Sequence, residues 1–183
     1  MLSIKGLQKT SLIDYPDLIS TVVFLSGCNL NCPYCHNPDL INKSLPTIKE
    51  EDVLNYLETK KQWIDAVVIS GGEPSLHKEL PDFLKKIKQL SLKVKIDTNG
   101  TKPLFLKELI EKNLVDYIAM DIKAPLNKYN KVTKAKVNTK DIEKSIEIIK
   151  NSNIDYEFRL TCVPSLIDKK DIENIGKLLK NSK

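Results

Sequence analysis

Arginine is almost absent from this chain: Arg159 is the only one, and every other basic residue among the 29 is a lysine. A chain so biased towards lysine keeps an arginine where a planar, two-pronged guanidinium matters. Long apolar stretches are missing too. The longest run, around Leu18 to Leu25, is too short to cross a bilayer, and no secretion signal opens the sequence. No membrane association and a cytoplasmic location with reduced thiols are therefore expected. Low-complexity tracts, repeats and long linkers are also lacking, so residues 1–183 are expected to form a single domain, with 1–18 as a lead-in. Neither sign of charge forms a block. The net charge of +5 sits on lysines scattered among glutamates and aspartates, which reads as a solvated surface and gives no nucleic-acid partner.

Cysteine is scarce as well, with four in all, but three of them fall inside the loop 27–38, at Cys28, Cys32 and Cys35. Pairing two as a disulfide strands the third, so a metal site is the better reading. Zinc takes four ligands in a closed site, or three plus an exchangeable position. An iron–sulfur cubane normally takes four cysteines, so three leave one iron open to another ligand. A redox dithiol at Cys32-Pro33-Tyr34-Cys35 gives Cys28 no role, and a Cys3His zinc knot asks adjacent Cys35 and His36 to meet one ion.

Cys28-x3-Cys32-x2-Cys35, with Tyr34 before the last cysteine, resembles the cluster motif of the radical S-adenosylmethionine (SAM) superfamily. Its continuation through His36-Asn37-Pro38 is similar to one branch, the activating enzymes of glycyl-radical enzymes. The resemblance implies a [4Fe-4S] cluster on the three catalytic cysteines, with SAM on the open iron. Reductive cleavage of SAM would then lead to hydrogen abstraction from a glycine of a partner enzyme. It also implies a flavodoxin or ferredoxin-type electron donor.

Along the rest of the chain, continuous β-branched runs alternate with amphipathic segments. Strands are expected at 19–25, 66–70, 93–97, 115–120 and 155–163. Helices are expected from a Thr47 N-cap to about 61, and near 80–90, 103–112, 139–150 and 168–179. This alternation predicts an α/β fold with right-handed crossovers. The resemblance refines it to a partial, open parallel (β/α) barrel of the radical SAM type. It would have about five core strands, because the sequence stops after the helix that precedes the usual sixth. The segment Asp14-Tyr15-Pro16-Asp17 reads as a turn into the first strand, at a place where many relatives carry glycine in the position of Asp17.

The unusual residues fall at the carboxyl ends of these strands, where such folds gather their sites. Gly71-Gly72-Glu73-Pro74 lacks the lysine of a phosphate loop, and two glycines there allow either a tight turn or close approach of a ligand. Asp97 and Asp121 at neighbouring strand mouths repel unless a cation lies between them. By resemblance, Gly71, Gly72 and Glu73 receive the amino group of SAM. Tyr34, His36 and Asn37 shape its surroundings, and Asp121 and Lys123 lie near its methionine part. Asp97, Thr98, Ala119 and Asp121 form a monovalent-cation site beside it. Arg159, from its uniqueness, is expected to hold a carboxylate of SAM or substrate. Cys162 reads as a buried core thiol and His77 as a surface histidine.

The family phrases LIDYP, CPYCHNP, SGGEP, DTNG and YIAMDIKAP cover nearly the whole chain. They are most similar to anaerobic ribonucleoside-triphosphate reductase activating proteins, then to pyruvate formate-lyase activating enzymes. A small-molecule radical SAM enzyme such as a 7-carboxy-7-deazaguanine synthase and a zinc-stabilised binding domain remain the alternatives.

Overall fold

The computed structural model describes residues 2–41, 45–180 and 182. The chain runs β1 (Ile4–Ser11), β2 (Ser20–Leu25), α1 (Pro38–Ile41), α2 (Glu50–Lys60), β3 (Ala66–Gly71), α3 (Leu80–Gln89) and β4 (Lys93–Thr98). It continues through α4 (Pro103–Glu111), β5 (Tyr117–Asp121), α5 (Tyr129–Thr133), α6 (Thr139–Lys150), β6 (Asp155–Arg159) and α7 (Lys169–Leu178). Among the described residues the strands form one sheet in strict chain order, with β1 antiparallel to β2 and β2 to β6 all parallel. Sequential crossovers of one hand place every helix on the same side. The opposite face is left as the hollow of an open partial barrel.

Alternation along the strands sorts the side chains between these faces. Val23, Leu25, Val67, Ile69, Val94, Ile96, Ile118 and Met120 join Phe83, Leu106 and Ile146 from the helices in the main core. Tyr15, Val22, Ala66 and Val68 make a small second cluster on the hollow side. At ~1.5–3 kcal/mol for each fully buried aliphatic side chain, the helix-side core supplies most of the stabilisation. The hollow is free to carry polar groups.

The structure departs from the sequence reading in four places. Residues 4–11 form a β-strand where a lead-in is expected, because β2 has an open edge and Leu2 and Ile4 can be buried beside it. The first long helix begins at Glu50 with Lys49 as N-cap. The Thr47 hydroxyl instead accepts a bond of 2.8 Å from Lys5 Nζ. Strand β6 stops at Arg159, so Cys162 is an exposed thiol and not a core one. His77 is half-buried, and its Nε2 lies 2.8 Å from the Ser26 carbonyl. Asp17 takes φ +61°, the left-handed conformation that glycine adopts freely and aspartate tolerates. No described helix is long and apolar enough to cross a membrane.

Candidate active site at the carboxyl ends of the strands

A cavity of about 620 Å³ opens over the carboxyl ends of the parallel strands. Cys28, Cys32, Tyr34, Cys35, His36 and Asn37 line it from the loop after β2. Gly71, Gly72 and Glu73 enter after β3, Asp97 and Thr98 at the end of β4, Asp121 and Lys123 at and after β5, and Arg159 at the end of β6. Ala119 does not reach the cavity and is buried in β5 beside Asp97. Gln8, Asp14, Ser70 and Asn99 also line it. Among these four, Asp14 carried a sequence signal through its turn, and Ser70 and Asn99 through the SGGEP and DTNG phrases; Gln8 carried none.

The cysteine loop is short on regular structure and is held by contacts from other elements. Asn31 N–H donates to the Thr133 carbonyl at 2.9 Å, and Gly27 N–H to that of Leu40 at 2.7 Å. Asn29 Nδ2 donates to Thr101 Oγ1 at 2.8 Å, while Asn99 Nδ2 donates to Asn29 Oδ1 at 2.9 Å. Leu30 N–H points at Cys28 Sγ from 3.4 Å. Burial pushes the Cys28 and Cys32 thiols up, and Lys123 opposes the rise at both. Tyr34 packs against the core, and burial pushes its hydroxyl up, reinforced by the neighbouring Cys32. Among the described residues no three His, Cys, Asp or Glu side chains gather closely enough for a single ion. The three thiols instead stand around one side of the cavity.

The glycine pair answers first to backbone packing. Gly72 N–H donates to the Leu25 carbonyl at 2.8 Å and Glu73 N–H to that of Gly27 at 2.7 Å. A Cβ on Gly72 would lie 1.9 Å from the Gly27 carbonyl oxygen, and one on Gly71, at φ +115°, would lie 2.3 Å from that of Leu25. These two residues clamp the end of β3 to the root of the cysteine loop. Glu73 is 1% exposed and turns inward. Its Oε1 accepts from Ser75 N–H at 3.0 Å, from the Ser75 hydroxyl and from Thr98 Oγ1 at 2.8 Å, and its Oε2 accepts from Asn99 N–H at 2.6 Å. Burial pushes this carboxyl up, and those hydrogen bonds act in the other direction. Its evident task is to bind the loop after β3 to the loop after β4.

Between Asp97 and Asp121 the structure places side-chain cations. Arg159 Nε lies 3.1 Å from Asp121 Oδ1 and its Nη2 3.5 Å from Asp97 Oδ2. Lys123 Nζ is 3.0 Å from Asp121 Oδ2. Lys95, which no sequence signal marked, is 2% exposed, and its Nζ stands 3.1 Å from Asp97 Oδ1. That contact is an ion pair without hydrogen-bond alignment. Burial works against the charge of Arg159, yet Asp97 and Asp121 together raise its pKa. The guanidinium is thus the brace between two carboxylates and not a bare cation awaiting one.

Comparison with known proteins adds to this geometry. The model of the Radical SAM superfamily matches residues 22–179. A Methanocaldococcus jannaschii protein named as a glycyl-radical enzyme activating enzyme is 39% identical over 183 residues, spanning 97% of this chain and 75% of that protein. The pyruvate formate-lyase-activating enzyme of Clostridium pasteurianum is 34% identical over 187 residues, spanning 97% and 76%. Among solved structures, Streptococcus suis SuiB bound to its precursor peptide SuiA superposes with a TM-score of 0.65 at 18% identity, over 86% of this chain and 35% of that one. QueE from Escherichia coli gives 0.51 at 16% identity, over 96% and 90%. At these identities the two structures speak for the fold alone.

Proposed function

The chain belongs to the radical SAM superfamily, and on that premise we propose that it is a glycyl-radical enzyme activating enzyme. Its partner on this reading is an anaerobic ribonucleoside-triphosphate reductase, its electron donor a flavodoxin or ferredoxin-type protein, and its place the cytoplasm. The observation that carries the proposal is the meeting of three thiols, a double-glycine turn and a set of strand-end charges around one cavity. The similarity over 97% of the chain to a protein named as such an activating enzyme supports the same reading.

The donor set fits a [4Fe-4S] cluster. Cys28, Cys32 and Cys35 supply three soft sulfur ligands and leave one iron without a protein ligand. The chemistry that a cluster with SAM bound supplies is reductive opening of the sulfonium and abstraction of a hydrogen atom. The chain's own residues do the holding. Leu30 N–H points at the Cys28 sulfur, which favours its thiolate form. Lys123 favours the thiolate at both Cys28 and Cys32. The Gly71-Gly72 backbone, which lines the cavity, would receive the SAM amino group. Tyr34, His36 and Asn37 form the wall beside it. Apolar Leu30 and Phe24 line the cavity and would limit the access of water to chemistry there.

Anaerobic reconstitution with iron and sulfide, dithionite reduction and EPR test the proposal. The expected result is a reduced-cluster signal perturbed by SAM, with 5′-deoxyadenosine formed and lost in Cys28→Ala, Cys32→Ala and Cys35→Ala. Mixing with the reductase or with pyruvate formate-lyase then identifies the partner by a glycyl-radical EPR signal. 5′-Deoxyadenosine without a radical on either protein directs attention to a small-molecule substrate. Stoichiometric zinc with no cluster and no SAM cleavage overturns the reading.

A further inference from the structure

The family resemblance implies a monovalent cation between Asp97 and Asp121, and the residues present do not fit one. Each of the four aspartate oxygens already lies beside a cation, Asp97 Oδ1 by ion-pair contact alone. Asp97 Oδ1 has Lys95 at 3.1 Å, and Asp97 Oδ2 has the Ser70 hydroxyl at 3.0 Å and Arg159 at 3.5 Å. Asp121 Oδ1 has Arg159 at 3.1 Å, and Asp121 Oδ2 has Lys123 at 3.0 Å. We infer that Lys95 and Arg159 are built-in counter-ions that do the work of an alkali metal ion here, so that the site assembles without sodium or potassium.

The ion pairs of this strand-end network match three cations with three carboxylates. Lys95, Lys123 and Arg159 stand against Asp97, Asp121 and Glu157, with Glu157 Oε1 3.6 Å from Lys95 and 3.9 Å from Arg159. An added alkali ion would meet three fixed positive groups, and the one aspartate oxygen without a hydrogen bond, Asp97 Oδ1, lies 3.1 Å from the Lys95 ammonium. Lys95 is also committed in every direction. Its Nζ donates to the Asp14 carbonyl at 2.6 Å and lies 5.7 Å from the centre of the Tyr117 ring, besides its two carboxylate neighbours. A buried ammonium is costly unless paired in this way, so it belongs to the folded structure and does not drift in and out. The register explains how it arrives there. Lys95 and Asp97 share one face of β4, and Asp121 of β5 pairs with Arg159 of β6 two residues further along the same face, so one face of the sheet holds all four at successive levels. Lys95 and Arg159 are thus positioning residues that set the spacing of the two aspartates.

The inference stands on the apoprotein and is independent of the functional reading. Thermal midpoints of the full chain are measured in KCl, NaCl and choline chloride at one ionic strength. The parent is expected to melt at the same temperature in all three. In Lys95→Met, which keeps the bulk and removes the charge, KCl or NaCl is expected to raise the midpoint over choline chloride by ~2–4 °C, the scale of modest ligand binding at this chain length. Arg159→Gln, at a half-buried position, is the second variant should Lys95→Met not fold. A saturable rise in the parent midpoint with one alkali ion overturns the inference. So does a folded variant that is indifferent to all three salts. In reconstituted protein, SAM cleavage by the parent is expected to be equal in the three salts. No cleavage in any salt counts against the functional reading and leaves the counter-ion inference standing.

Discussion

Gly72→Ala probes the junction on which the cavity is built. The added Cβ falls 1.9 Å from the Gly27 carbonyl oxygen, where ordinary contact begins at 3.4 Å, and the obstacle is backbone that cannot rotate aside. Relief requires the loop after β3 to part from the root of the cysteine loop. That parting breaks the bonds from Gly72 N–H to Leu25 and from Glu73 N–H to Gly27. Two lost backbone bonds at ~0.5–1.5 kcal/mol each, with the strain of an overfilled site at ~1–3 kcal/mol, give a destabilisation of about 2–6 kcal/mol. At ~2–4 °C per kcal/mol for a chain of this size, the melting temperature falls by roughly 4–24 °C. Gly176→Ala is the matched control. Gly176 lies in α7 with nothing within 4 Å of its would-be Cβ. Alanine there is expected to add ~0.5–1 kcal/mol through helix propensity. Circular dichroism melts of the two variants, with iron content after reconstitution, measure both ends. A Gly72→Ala protein that melts within ~1 °C of the parent and binds iron as well refutes the clamp.

Alkylation of Cys28 and Cys32 in the apoprotein by iodoacetamide, read residue by residue by mass spectrometry, is expected to rise only at pH values above the ordinary 9.0, because burial raises both thiols. The folded state then holds protons that the unfolded state releases, so the two thiols' contribution to stability is present below pH 9 and is lost as the pH climbs through their folded values. Lys123→Met is expected to move both alkylation profiles further up, and half-reaction below pH 9 in the parent speaks against the burial argument. Asp168→Ala removes the side chain that accepts from Asp171 N–H in the capping box of α7, and a loss of ~1 kcal/mol in urea unfolding is expected. An unchanged midpoint means the box is idle. Cys162→Ser is expected to leave stability within ~0.5 kcal/mol and iron content unchanged, since that thiol is exposed and does not line the cavity; a loss of iron would make it a fourth ligand.

The alternation of strands and helices is legible in the sequence because β2 to β5 are largely buried on both faces and the long helices are amphipathic. Helix α6 falls on the expected 139–150, and Asp168 caps α7 as its place at the start of that helix suggests. Strand β1 is hidden because its composition, Ile4-Lys5-Gly6-Leu7-Gln8-Lys9, has no continuous apolar run, and it becomes a strand only against the edge of β2. Thr47 looks like a cap in isolation, yet Lys5, forty-two residues away, holds its hydroxyl. The cysteine motif is local and so is plain to read, whereas two of the groups that hold it, Thr101 and Thr133, are ordinary residues given meaning by the fold. Lys95 escaped notice for a related reason: one lysine among many is featureless until the register of β4 turns it into the hollow. The need for a positive charge between Asp97 and Asp121 is legible from the sequence. Its source, in the chain itself, is not.

The clasp between Asn31 and the Thr133 carbonyl joins parts of the chain that leave the ribosome at very different times. At a synthesis rate of ~5–20 residues per second, the three thiols emerge roughly 5–20 s before the residue that secures their loop. During that interval they are ordinary cysteines on a nascent chain, exposed to oxygen and to any thiophilic metal in the cell. The loop that bears the thiols thus takes its final form only after more than two-thirds of the chain has been made.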